Sequence, residues 1–140
     1  MKILLPVDGS HCTKRMLSYI AAHDELLGRG HEYLAFTAIP AIPAYATHLL
    51  EHTTMEGYYQ EEADKVLAPV MAFAAQQGWT IRALHRHGHA AEVIAAVAEK
   101  EHAELIVMGT HGHSSLGNVV LGSVATGVLA RSTVPVLLIR

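Results

Sequence analysis

Two short stretches of this chain carry residue types suited to holding an anion. The longer is Gly109-Thr-His-Gly112, then nine residues, then Gly122-Ser123. It lies between an apolar strand-like run, Leu105-Ile-Val-Met108, and a helical pattern with Leu121, Val124 and Val128 on one face. Glycines let backbone N–H groups approach phosphate oxygens with no Cβ in the way. A helix start adds unpaired N–H donors and the positive end of the dipole. The Ser123 hydroxyl supplies one more donor. The same glycines also suit a tight strand-to-helix connection that binds nothing. There is no Gly-Lys-[Ser/Thr] of a P-loop, and the spacing is not that of the dinucleotide fingerprint. The shorter stretch is Asp8-Gly9-Ser10, at the end of the apolar run from Lys2 to Val7. A carboxylate there can accept ribose hydroxyls, organise a metal, or act as a turn residue before a helix.

Histidine is the other abundant chemistry. The chain has 11, and His11, His87, His89, His111 and His113 are expected in loops at strand exits. His85 and His87 stand two apart but lack the Cys or carboxylate partners of a recognisable zinc site. His11, His111 and His113 are expected around one crevice, where imidazoles donate to phosphates or, protonated, add positive charge.

The elements that must position these residues alternate β-α-β-α-β-α-β-α-β. Strands are expected at 2–7, 31–39, 80–85, 104–108 and 135–139, and helices at 13–27, 56–77, 90–102 and 121–132. Met16, Ile20 and Leu27 share a face in the first helix, and Gly28 and Gly30 close it. Pro69 inside the second helical pattern predicts a kink or a break. Residues 40–55 form a longer connection than usual, as lids and mobile loops do. Strands alternating with helices imply parallel pairing through right-handed crossovers, hence a doubly wound α/β sandwich of three layers.

Composition narrows the function classes. With 140 residues the chain has the size of one domain, 1–140, able to bury a single core. Apolar residues make up 51% and charged residues 16%, a low charge fraction that leaves apolar surface for a partner to cover. A net charge of −3 gives no general attraction to nucleic acid or to an anionic membrane. Pro6-Val-Asp8 cuts short the apolar start, so no signal peptide is read there. The single Cys12 excludes an internal disulfide. A cytoplasmic address is expected.

The Gly-x2-Gly-x9-Gly-[Ser/Thr] spacing resembles the signature of the nucleotide-binding branch of the universal stress protein family. Lys2-Ile-Leu-Leu-Pro-Val-Asp-Gly-Ser10, Gly88-His-Ala-Ala-Glu-Val-Ile94, Ala103 to Gly109 and Val134-Pro-Val-Leu-Leu-Ile139 resemble its other segments in the same order. Gly88-His-Ala90 departs from the family's Gly-x-Pro. The resemblance implies strand order 3-2-1-4-5, with a switch point between strands 1 and 4 where ligands bind. It implies an ATP-binding protein of the stress response, with Pro6, Val7, Asp8, Ile39, Met108, Gly109, His111, Gly112, His113, Gly122, Ser123 and Val124 around the nucleotide. Ile39 and Met108 would border the adenine, although core packing is the more ordinary role for Ile39. Asp8 is suited to share Mg2+ with the phosphates. The resemblance also implies a homodimer through the strand from Val134 to Arg140. No arrangement of residues demands fast hydrolysis, so at most a slow ATPase is expected. A nucleotide-independent interaction module and a nucleotide-dependent transferase or hydrolase are the alternatives.

Overall fold

Five short apolar runs fold into one parallel sheet, ordered β3-β2-β1-β4-β5, in the computed structural model. The structure describes residues 1–112, 118 and 120–140, and only the backbone of His52. The elements are β1 (Lys2–Pro6), α1 (His11–Ala22), α2 (Asp24–Leu27), β2 (Glu32–Ile39), α3 (Ala44–Thr47), α4 (His52–Gln77), β3 (Thr80–His87), α5 (Ala90–Lys100), β4 (Leu105–Gly109), α6 (Ser123–Arg131) and β5 (Val136–Ile139). The fold class and strand order expected from the sequence are those observed.

Helices cover both faces, so the central strands are apolar on both sides. Ile3, Leu5, Val7, Tyr33, Ala35, Ile39 and Val107 pack toward α1 and α4. Leu4, Leu34, Phe36, Ile106 and Met108 point the other way, toward α5 and α6. The helices on that second face sit close together: a Cβ on Gly127 would lie 2.5 Å from the Ala91 Cβ.

Several boundaries differ from the sequence reading. The helix expected over 13–27 begins at His11 and breaks at His23, whose φ of −121° and ψ of 54° leave the helical region. The His23 ring bonds the Tyr19 carbonyl at 2.8 Å, and the buried Tyr33 hydroxyl donates to the carbonyls of Leu27 and Gly28, anchoring α2 separately. The next long helix starts at His52 and runs unbroken through Pro69. Pro69 and Lys65 are both exposed, so water can serve the Lys65 carbonyl that Pro69 leaves without an N–H donor. β3 extends to His87, paired with Ile39. His87 is therefore a strand residue and His11 a helix residue, not loop residues. No helix of the described residues is long and apolar enough to cross a membrane.

Candidate functional site

The crevice begins where β1 and β4 stop pairing. Their ladder comprises Ile3 with Leu105 and Leu4 with Ile106. Beyond it each strand turns to its own outer neighbour: Val7 N–H donates to the Phe36 carbonyl and Thr110 N–H to the Ile139 carbonyl. Parting strands at a topological switch point open space outside their carboxyl ends.

Into that space open both sequence motifs. In the first, the Asp8 carboxylate is held by its own loop. Its Oδ1 accepts the Ser10 N–H and the Thr13 hydroxyl, each at 2.9 Å, while Asp8 N–H donates to Thr13 Oγ1 at 3.1 Å. Gly9 takes a φ of 75°, the left-handed conformation that favours glycine. Asp8 is thus a turn-forming residue and a cavity-lining residue at once.

The second motif folds back on itself. Gly122 N–H donates to the Thr110 carbonyl at 2.7 Å, closing the loop between β4 and α6. A Cβ at Gly122 would meet that carbonyl oxygen at 2.9 Å. A Cβ at Gly112 would stand 2.6 Å from Asp8 Oδ2, so the two motifs touch. Gly109 has a different reason to be small, because a Cβ there would lie 2.8 Å from Cys12 Cβ on α1. α6 starts at Ser123 after Gly122, and no side chain caps it. Its first N–H groups therefore face the cavity mouth with the positive end of the helix dipole.

The cavity measures about 400 Å³, within the usual range for a small-molecule site. Asp8, Thr13, Thr110, His111, Gly112, Gly122 and Ser123 give its polar lining. The His111 ring bonds the Thr110 hydroxyl through Nδ1 at 2.9 Å. Phe36, Ala38, Ala90, Ile94, Met108 and Ala125 give an apolar slot, and Pro6, Val7, Gly109 and Val124 complete the wall.

Ten of the twelve residues expected around a nucleotide therefore line one cavity: Pro6, Val7, Asp8, Met108, Gly109, His111, Gly112, Gly122, Ser123 and Val124. Ile39 does not. Strand alternation turns it to the opposite face, where it is buried in the core beside α4, and Ala38 faces the cavity instead. His113 lies outside the described residues. His11 is not in the cavity wall; it opens into a separate groove on the outside of α1. Thr13, Phe36, Ala38, Ala90, Ile94, Thr110 and Ala125 were missed. Of these, only Thr13 and Thr110 carried a chemical signal, a hydroxyl beside each motif. Among the described residues no group of three or more His, Cys, Asp or Glu side chains forms a metal cluster. An ion at Asp8 would need ligand oxygens from elsewhere, as phosphates supply.

Fold and site together define a doubly wound α/β protein with a glycine-lined, helix-capped cavity at its switch point. The model of the universal stress protein family matches residues 1–140, and the chain belongs to that family. The universal stress protein encoded in the 3' region of the QAH/OAS sulfhydrylase gene of Thermus aquaticus is 36% identical, over 99% of this chain and 97% of its own. Hypothetical protein MJ0577, from Methanocaldococcus jannaschii, has a solved structure that superposes with a TM-score of 0.81. It is 26% identical, with 99% of this chain and 94% of that one covered. An Archaeoglobus fulgidus universal stress protein solved with dAMP shares the fold, with a TM-score of 0.70 at 21% identity and coverage of 100% and 98%. Other universal stress proteins of the same fold were solved with cAMP and with AMP.

Proposed function

We propose that this protein binds an adenine nucleotide, ATP above all, in the β1/β4 cavity. In this reading it is a small ligand-dependent regulator of the stress response, working in the cytoplasm as a homodimer. The observation that carries the reading is the pairing of two linings in one cavity. Gly112 and Gly122 leave no room for a Cβ beside the start of an uncapped helix, and an apolar slot adjoins them. That pairing suits a ligand with a planar base and a phosphate tail. Family members of the same fold solved with cAMP, dAMP and AMP support the adenine part.

Within this reading the slot of Phe36, Ala38, Ile94 and Met108 takes the base. Asp8, fixed by Ser10 and Thr13, accepts ribose hydroxyls or shares Mg2+ with the phosphates. Backbone N–H groups of Gly112 and the α6 start, with the Ser123 hydroxyl and His111, hold the phosphates. No Lys or Arg is among the described lining residues, so magnesium would offset much of a triphosphate's charge. The same lack of a cation beside the reacting phosphate fits slow hydrolysis at most. The dimer would form through the edge strand β5, whose Val136, Leu137 and Leu138 are only half-buried. Leu138→Asp should then give monomers in light scattering.

The test is direct. Protein purified without added nucleotide is denatured and its supernatant examined by mass spectrometry, and the melting temperature is recorded with ATP, with and without Mg2+. Released adenine nucleotide, or an upward shift of several degrees that EDTA reduces, supports the reading. No ligand and no shift at millimolar ATP would leave the nucleotide-independent module.

A further inference from the structure

The sheet has two edges, and they are built differently. β5 is 4 residues long, while β3 is 8 and pairs with β2 one residue to one from Thr80 to His87. Nothing in β3 blunts its edge: it holds no proline, no glycine and no bulge. Hydrogen bonding alternates along a parallel strand. Gly88 N–H donates to the Ile39 carbonyl, so the even-numbered residues of β3 bond to β2. The N–H and C=O groups of Ile81, Ala83, His85 and His87 therefore point away from the sheet, over about 20 Å at ~3.3 Å per residue. Among the described residues, Arg86 covers part of this row: it folds back and donates through Nη1 to the His85 carbonyl at 2.7 Å.

Two adjoining hollows of about 360 and 400 Å³ run between this edge and α4, and Gln60, His85 and Arg86 line both. On the α4 side the lining is apolar at Leu67, Ala68 and Met71, and further along at Met55 and Tyr59, with Asp64 and Glu56 among them. The other side of β3 carries Arg82 and Arg86, which share with Leu84 the face turned toward α5. Arg82 pairs with Glu101, whereas Arg86 has no carboxylate of the described residues within ion-pair distance.

We propose that the β3 edge takes up an extended peptide in which apolar and acidic residues alternate, as an added strand. Main-chain groups of the peptide meet the outward groups of Ala83, His85 and His87. Side chains along an added strand alternate between the two faces. Those on the α4 side enter the hollows, where apolar groups fit and acidic ones would meet Asp64 and Glu56. Those on the α5 side come beside Arg86 and Arg82, where carboxylates are favoured as cross-strand partners. One face selects apolar residues and the other acidic ones, and alternation satisfies both. A second copy of β3 is disfavoured. The antiparallel register that pairs all the outward residues, Ile81 with His87 and Ala83 with His85, also sets Arg82 opposite Arg86. β3 lies at the far end of the sheet from β5, so a homodimer through β5 leaves this edge uncovered.

The test is fluorescence anisotropy of the intact protein with a labelled peptide of alternating valine and glutamate, about seven residues long to match the edge. Saturable micromolar binding is expected. A peptide of the same composition with its valines and glutamates in two blocks should bind about tenfold more weakly or worse, and so should one of alternating valine and lysine. Two further peptides carry N-methyl groups on every valine or on every glutamate. Only one of these sets of N–H groups faces β3, so at least one methylated peptide should lose about tenfold or more. Ala83→Pro removes an outward N–H at an exposed edge position where proline is tolerated, and should weaken binding about fivefold or more with native dichroism. Were it to unfold, the methylated peptides decide the same point from the other strand. Arg86→Glu should shift the preference from the glutamate peptide toward the lysine one. The proposal is overturned if the valine–glutamate peptide does not bind at about 1 mM, or if the block or lysine peptide binds as well. It is equally overturned if both methylated peptides bind like the parent, if folded Ala83→Pro binds like wild type, or if Arg86→Glu leaves the preference unchanged. A change of oligomeric state in folded Ala83→Pro would give the edge to a second copy and overturn it too.

Discussion

The two faces of the sheet use the same kinds of strand residue and end differently at the carboxyl side. On the α1/α4 face, Ile39 and Tyr59 are both buried in the core, and the groove that remains lies outside them, between the start of α4 and the edge strand β3. The Tyr59 hydroxyl takes the Ile42 N–H at 2.8 Å, and its ring stacks on His87 with centroids 4.5 Å apart. On the α5/α6 face the corresponding positions are Ala38 on β2, Ala90 on α5 and Ala125 on α6, and there the cavity lies. The backbone is one continuous sheet, so the site is made by subtracting side chains from one face. Packing stabilises a protein through atoms present; a binding site needs their absence at chosen places. Changes on the open face should therefore alter ligand affinity with little effect on stability, and changes on the closed face the reverse.

The sharpest test of that contrast is Gly122→Val. A branched side chain would collide with the Thr110 carbonyl where backbone must meet phosphate. Calorimetry should show ATP affinity falling at least about 100-fold, an order comparable with other losses of backbone donors to an anion, while the far-ultraviolet dichroism stays native. Next is Ile20→Ala on the closed face. Ile20 is fully buried, and its truncation should cost about 2–5 kcal/mol in urea unfolding, with ATP affinity of the folded fraction unchanged. A loss of affinity matching the loss of stability would break the contrast.

Ala38→Leu fills the open slot. We expect roughly tenfold weaker ATP binding and a stability change within about 1 kcal/mol, because the new atoms enter space that is already there. The smallest effect concerns the closed face at high pH. Burial, with the Asp24 carboxylate adding to it, pushes the Tyr33 hydroxyl up to about 12 from 10.0. Its folded value is raised, so its contribution is fully present below pH 10 and is lost as pH rises toward 12. Tyr33→Phe should lose about 1 kcal/mol at neutral pH, from its bonds to the end of α2, and should show a shallower alkaline decline. Thermal melts at pH 8, 10 and 11.5 would check both.

Much of this contrast was legible in the sequence, and the part that was not has a physical cause. Strand and helix alternation specified the sheet, because apolar runs and helical periodicity are strong signals. Glycine spacing and Asp8 pointed to the crevice, because an anion site needs backbone access and these residues grant it. The apolar slot was invisible. Ala38, Ala90 and Ala125 are ordinary core residues in sequence, and only the facing elements reveal that nothing fills the space beside them. For Ile39 the resemblance implied a place beside the adenine and core packing was the more ordinary role; it lies in the core, since a one-residue step in strand alternation exchanges the two faces. His11 was grouped with the nucleotide loops, yet α1 starts at His11 itself and turns it outward. The anchoring of the end of α2 by the Tyr33 hydroxyl comes from β2 and cannot be read locally.

The account rests on one cavity being the ligand site and the opposite face being closed, and methyl-resolved NMR during an ATP titration measures both at once. Shifts are expected at Ala38, Ala90, Met108, Val124 and Ala125, with Ala63, Leu67, Val70 and Ala74 on the α4 side unmoved. Shifts concentrated on the α4 side, or none anywhere at saturating nucleotide, would contradict it.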